Sequence, residues 1–232
     1  MKGGSNVKRK TLAGLISTLS LGIACSSIQA HEAGEWIVRA GIAGVNPSED
    51  SGILLPTAVS PNGQVSIDDD VQLGLTFTYM LTDNWALELL AATPFTHEVS
   101  FAGDLSGLGS IATAKQLPPT LSAQYFFETN SNIKPYLGVG VNYLMMLETK
   151  ATANGMSVLD TVGTGGNYSI DADDSVGLTL QAGIDIELND RLMLNAAIWK
   201  MDIGTTITVA DTLNVDLEID PWVYMLGVGY KF

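Results

Sequence analysis

The stretch Val71-Gln72-Leu73-Gly74-Leu75-Thr76-Phe77-Thr78-Tyr79-Met80-Leu81 decides the fold class. Every odd position is apolar, while Gln72, Gly74, Thr76 and Thr78 fall between them. A period of two puts one kind of side chain on each face of a strand, whereas a helix would need a period near 3.6. The same rhythm runs through Val176, Leu178, Leu180, Ala182, Ile184, Ile186 and Leu188, set against Gly177, Thr179, Gln181, Asp185 and Glu187.

Working outward from these two stretches, eight alternating segments emerge, at about 35–45, 69–81, 85–96, 115–127, 134–147, 174–188, 191–203 and 213–232. Three connections are short and turn-like: Thr82-Asp83-Asn84, residues 128–133, and Asn189-Asp190. The others, 46–68, 97–114, 148–173 and 204–212, are long. Short turns at one end and long loops at the other are the pattern of an outer-membrane β-barrel with its turns in the periplasm. An even strand count then puts both termini on the turn side. A soluble sandwich or lipocalin-like barrel also alternates, but its strands are usually only ~5–6 residues long. Aromatics at the segment ends (Trp36, Trp85, Tyr125, Phe127, Trp222, Tyr230) suit an interfacial girdle, and the closing Tyr230-Lys231-Phe232 suits the terminal aromatic signal read by the barrel assembly machinery.

Composition agrees. The chain has 232 residues, 11 Lys+Arg against 25 Asp+Glu, a net charge of −14, only 16% charged residues and 24 glycines. Mean hydropathy is +0.23, too apolar for an acidic disordered tail. So acidic a chain repels phosphates, which excludes a nucleic-acid partner bound through a basic surface. Residues 1–30 hold Lys2, Lys8, Arg9 and Lys10, no acid, and an apolar run from Thr11 to Ile23. They are expected to be a signal peptide cleaved between Ala30 and His31, leaving residues 31–232 as the barrel domain. The apolar run is too short to span a bilayer. Cys25 sits where a lipoprotein cysteine could sit, but Gly22 stands where that motif wants Leu. The remaining chain has no cysteine, hence no disulfide, thiolate metal site or cysteine nucleophile.

Several blocks are idiosyncratic enough to carry a resemblance. His31-Glu-Ala-Gly-Glu-Trp-Ile-Val-Arg-Ala-Gly41, Gln72 to Met80, Glu88-Leu-Leu-Ala-Ala-Thr-Pro-Phe95, Leu117-Pro-Pro-Thr-Leu121, Asp220-Pro-Trp-Val223 and Gly229-Tyr-Lys-Phe232 together resemble the OmpW family of eight-stranded outer-membrane proteins. The resemblance spans essentially all of 31–232 apart from the long loops. It implies a narrow barrel with an apolar lumen that passes small hydrophobic molecules, as in the alkane-uptake AlkL proteins of the same group. It also implies a constriction made by a Leu and a Trp. By motif these are Leu90 and, with less closely matched flanks, Trp199.

Strand phase can be set independently, because a charge on the lipid face is costly. That phase turns Trp85, Leu87, Leu89, Ala91 and Phe95 outward and Glu88, Leu90 and Ala92 inward. It likewise turns Asn195, Ala197, Trp199 and Met201 inward. Inward residues then sort into two layers. Arg39, Glu88, Gln124, Gln181, Asp185 and Asn195 lie toward the turns, with Arg39 expected to pair with Glu88 or Asp185. Leu90, Ala92, Leu144, Met146, Trp199, Met201, Val223 and Met225 form an apolar funnel toward the loops. An eight-stranded barrel is just wide enough to be filled by side chains, so plain packing is the alternative to a conduit.

Pro94 and the pair Pro118-Pro119 should face each other across one hairpin. Proline supplies no ladder donor, and a barrel has no edge to hide it, so this position is read either as strand termination at the rim or as a lateral exit toward lipid. His97 and His31 form no convincing set with Ser and carboxylate, which leaves no catalytic residues to name. Gly138-Val-Gly140 lies in a strand and lacks a third glycine. Asp68 to Asp70 and Asp171, Asp173 and Asp174 read as solvated loop ends, with bridging of divalent ions to lipopolysaccharide as the other reading. No cofactor or resident metal is expected. The expected state is a monomer in outer-membrane lipid and lipopolysaccharide, acting on small hydrophobic solutes. The competing function is a structural or receptor barrel working through its extracellular loops.

Overall fold

The computed structural model describes residues 31–48, 50–51, 63–161 and 164–232. The signal-peptide reading, Cys25 and the cleavage position before His31 fall outside the described residues.

In chain order the first strands are β1 (Trp36–Asn46), β2 (Asp50–Ser51), β3 (Gly63–Ile67), β4 (Asp70–Met80) and β5 (Trp85–Ala92). There follow β6 (Phe95–Gly103), β7 (Ser110–Leu117), β8 (Thr120–Phe126) and β9 (Ile133–Ala151), then a helix α1 (Ala153–Thr161). The rest are β10 (Ile170–Ala172), β11 (Ser175–Glu187), β12 (Leu192–Met201), β13 (Gly204–Val209), β14 (Leu213–Glu218) and β15 (Trp222–Lys231).

Eight of these strands close an antiparallel barrel in the order β1-β4-β5-β8-β9-β11-β12-β15, and β15 returns to β1 along the register Ile37↔Lys231 to Asn46↔Trp222. Closure leaves no unpaired edge, which the hydrocarbon interior demands. The alternation read in the sequence is the alternation of the wall: Leu73, Phe77, Leu87, Leu89, Leu178, Leu180 and Leu226 are exposed, while Thr76, Thr78, Glu88 and Gln181 are buried inside. Backbones approach closely where glycines face each other, as at Gly41 opposite Gly227; a Cβ on Gly41 would lie 2.2 Å from the Leu226 carbonyl oxygen.

The turn end carries the aromatic belt. Trp36 packs at a tilt against Tyr79, while Trp85 and Tyr125, Tyr125 and Phe127, and Tyr230 and Phe232 meet edge to face, with ring centroids 4.7–5.2 Å apart. At the other end Lys200 Nζ sits 5.5 Å over the Trp222 ring.

The long connections are largely sheet. β9 runs 19 residues, about twice what a tilted spanning strand needs, and its upper half continues beyond the wall to pair with β7. β7 pairs with β6 and β6 with β3, extending the barrel sheet, while β10, β13, β14 and β2 form a separate four-stranded sheet. Three expectations change accordingly, one being the segment 115–127, which is the end of β7 and all of β8, parted at Pro118-Pro119. The segment 213–232 is two strands, because Asp220 takes a positive φ of 38° before Pro221 and turns the chain; only β15 belongs to the barrel wall. The segment 85–96 is also two strands, because the inward phase slips by one at Thr93-Pro94. Phe95, expected on the lipid face, therefore lies inside and is only 2% exposed.

Candidate functional site

The lumen is built in three layers, and the middle one is polar. Arg39 on β1 donates to both oxygens of Asp185 on β11, at 3.0 Å from Nε and 2.5 Å from Nη2. Its Nη1 lies 2.7 Å from Thr78 Oγ1 and 3.2 Å from Glu88 Oε2. Asn195 Nδ2 donates to Asp185 at 2.8 Å and to Tyr136 Oη at 3.0 Å. Gln124 donates to Gln181 at 3.0 Å, and Gln181 to Glu88 at 2.8 Å. One network thus spans seven of the eight wall strands. Arg39 pairs with both carboxylates rather than with one, and Gln124 meets Gln181, not Arg39. The Arg39 guanidinium also lies 5.5 Å from the centre of the Tyr136 ring. That ring occupies the space above Gly183, where a Cβ would be 2.3 Å from it, so the glycine is what lets Tyr136 lie across the lumen.

Below the network is a layer that the sequence reading did not contain. One inward position nearer the turns, Arg39 is followed by Ile37, Thr78 by Met80, Glu88 by Ala86, Gln124 by Phe126 and Asn195 by Met193, all of them buried. His31 packs edge-on to Phe126 with centroids 4.7 Å apart and closes this floor from the turn side. Beside it the Glu35 carboxyl is held below its ordinary range, chiefly by the neighbouring His31, whose Nδ1 lies 3.6 Å from Glu35 Oε2. On its periplasmic side the charged network is therefore backed mainly by apolar side chains, with Lys134, buried and in register with Asp185, as a charged member of the same layer.

Above the network is the apolar funnel. Leu90 is the next inward residue above Glu88, and Trp199 stands two inward positions above Asn195, opposite Gln181 and Val223 in register. Leu90, Leu144, Trp199, Met201 and Met225 belong to one buried cluster, with Met146 packed against it. Met225 fills the place that a side chain on Gly74 would need. Higher still, the two loop sheets enclose an apolar cavity of about 60 Å³, lined by Val65, His97, Val99, Met146, Ile207 and Ile219 among others. Leu90 and Trp199 thus stand at the foot of a largely apolar column that begins between the loop sheets, its wall at the Leu90 level also carrying the buried Thr120, Asn142 and Thr179. The loop sheets and His97, read in the sequence as loop and rim, form its mouth. Strand alternation in 63–67, 95–103 and 204–209 was the signal available for this.

The wall is interrupted beside the column. β5 pairs with β8 from Trp85↔Tyr125 to Leu90↔Thr120, and pairing resumes between β6 and β7 at Phe95↔Gln116, one residue out of phase. Between these points lie Ala91 to Pro94 on one side and Leu117 to Pro119 on the other. Thr93 N–H donates to Leu73 on β4, and Thr96 N–H to Asp70 on the same side, so the alternation breaks between them, at Pro94. The Pro119 carbonyl accepts from Tyr143 on β9, so Pro118 faces β5. Pro94 and Pro118, which have no N–H, thus lie on the two sides of this break in the ladder.

The acidic residues are engaged locally. Asp69 accepts from Asn46, Asp70 from the Thr96 backbone, and Asp174 from Tyr143 Oη and the Met146 backbone. Among the described residues no cluster of His, Cys, Asp and Glu is arranged to hold a metal ion.

A family model described as the OmpW family matches residues 32–232. The chain belongs to the OmpW family. Outer membrane protein W of Vibrio cholerae is 41% identical over 229 residues, covering 97% of this chain and all of that one. The crystal structure of the outer membrane protein OprG from Pseudomonas aeruginosa is 41% identical, with a TM-score of 0.76, covering 89% of this chain and 99% of that one. Outer membrane protein AlkL of Ectopseudomonas oleovorans is 25% identical over 207 residues, covering 87% of this chain and 84% of that one. This OmpW-family chain is an outer-membrane β-barrel, with relatives that are outer-membrane proteins of the same eight-stranded design.

Proposed function

We propose that this OmpW-family barrel is a passive conduit for small hydrophobic molecules, and not an enzyme. Solute enters between the loop sheets, descends past Met146, Leu144 and Met201 to Trp199, Met225 and Leu90, and leaves sideways into lipid between Pro94 and Pro118-Pro119. The single observation that carries this reading is the sequence of layers. A largely apolar column, with Thr120, Asn142 and Thr179 among its buried residues, stands on a charged network, and the network stands on a floor that is apolar but for Lys134. Passing straight down means separating Arg39 from Asp185 and Glu88 in a space too narrow for bulk water, a heavy desolvation cost. Moving sideways keeps an apolar solute in largely apolar surroundings, through a wall stretch where Pro94, Pro118 and Pro119 supply no ladder donors. The flexible thioethers of Met146, Met201 and Met225 suit a column that must open for solutes of varied shape. In this reading the barrel works as a monomer in lipopolysaccharide-bearing membrane and is delivered by the assembly machinery through Phe232.

Uptake of a labelled alkane by cells with and without the protein tests this, together with Leu90→Asp and Trp199→Asp. Both changes put a carboxylate into the column and leave the lipid face untouched. Uptake should fall about tenfold or more in each, the factor that ~1.4 kcal/mol produces, while the folded barrel persists on gels. Normal uptake by both variants makes the lumen mere packing and returns the function to the loops.

A further inference from the structure

The column is largely apolar but not featureless: among the buried polar atoms that no described residue satisfies, three lie along it, His97 Nε2, Asn142 Oδ1 and Trp199 Nε1. His97 lies on β6 inside the mouth, 2% exposed, stacked on Phe95 with centroids 6.2 Å apart. Its Nδ1 sits 2.7 Å from the Asp68 carbonyl oxygen. A carbonyl can only accept, so Nδ1 carries the hydrogen and the neutral ring is left with a bare acceptor at Nε2. Nε2 has no hydrogen-bond partner among the described residues, in a side chain that lines the apolar cavity. Further down, Trp199 Nε1–H, a donor with no acceptor capacity, is equally buried and unpartnered. Buried polar atoms are nearly always paired, because leaving one unpaired forfeits its hydration without return. Unpartnered atoms of both kinds on one path, the acceptors His97 Nε2 and Asn142 Oδ1 and the donor Trp199 Nε1–H, match a single chemical group that both donates and accepts.

We propose that the conduit is tuned to apolar solutes carrying one hydroxyl, such as long-chain alcohols and phenols, in preference to the parent hydrocarbons. The hydroxyl donates to His97 Nε2 at the mouth and accepts from Trp199 Nε1–H at the constriction, while the hydrocarbon body stays among Val99, Met146, Leu144 and Met201. A pure alkane passes the same atoms and leaves them unsatisfied. The inference rests on the conduit reading and adds the substrate class.

The test is initial-rate uptake of labelled 1-dodecanol and n-dodecane by cells expressing the full-length protein, each corrected for cells lacking it. In the wild type the protein-dependent alcohol rate should exceed the alkane rate. His97→Phe keeps an aromatic ring and removes the acceptor; Trp199→Phe keeps a ring and removes the donor. Each should lower the alcohol-to-alkane ratio about two- to tenfold, the worth of one net hydrogen bond. His97→Gln, whose amide can donate to Asp68 and still present an oxygen, should restore much of the ratio. A wild-type ratio at or below one overturns the proposal before any variant is made. So does a ratio unmoved by His97→Phe and Trp199→Phe, with alkane uptake intact, and the conduit survives in both cases. Absence of protein-dependent uptake of either solute overturns the conduit and the inference together.

Discussion

At the scale of single residues the lumen is governed by Arg39. It is fully buried and holds two carboxylates from opposite parts of the wall. Removing one partner from such a cluster leaves uncompensated charge in a dry space, which typically costs about 3–5 kcal/mol. Arg39→Met should therefore destabilise the barrel by that order, read as a lowered urea midpoint of the heat-modifiable form in lipid. Thr78→Val, which removes two hydrogen bonds, one from Arg39 and one to Glu88, but no charge, should cost less. Arg39, Glu88 and Asp185 were legible in the sequence because a charge on an alternating strand can only face inward. Tyr136 was not, since a tyrosine near a strand end reads as girdle; its inward place depends on Gly183 across the barrel, a pairing no local pattern reveals. The floor was missed for a similar reason. Met80, Phe126 and Met193 are apolar, and an apolar residue at the turn end gives no phase by itself.

At the scale of elements, the wall strands follow from alternation and the short turns, and the family resemblance agrees with both. The loops did not follow. β6, β7, β13 and β14 alternate too, but they pair outside the membrane, and nothing in a strand's own pattern says which sheet it joins. The slip at Thr93-Pro94 is likewise invisible until Phe95 is seen inside. The closing strand offers a test at this scale. Phe232 N–H still donates to the Trp36 carbonyl at 2.9 Å, while its ring is 74% exposed, facing the lipid beside Tyr230. Deleting Phe232 removes the last ladder bond between β15 and β1 and a ring whose transfer into apolar surroundings is worth about 1.5–3 kcal/mol. The truncated chain should yield much less heat-modifiable barrel in the outer membrane, measured by gel shift of membrane fractions. An unchanged yield would remove the terminus from the assembly account.

At the scale of the whole molecule the parts define one route: a mouth between two loop sheets, an apolar column, a charged network on a closed floor, and a wall gap beside the column. The central claim is that solute leaves through the gap and not through the floor. The most direct measurement is the initial rate of n-dodecane uptake in cells carrying either the Pro94→Ala/Pro118→Ala pair or the Phe126→Ala/Met193→Ala pair. The first restores one N–H on each side of the gap; the second thins the floor beneath Arg39. The account predicts that the proline pair lowers uptake severalfold while thinning the floor leaves it unchanged. Normal uptake with the proline pair, combined with raised uptake through the thinned floor, would contradict it.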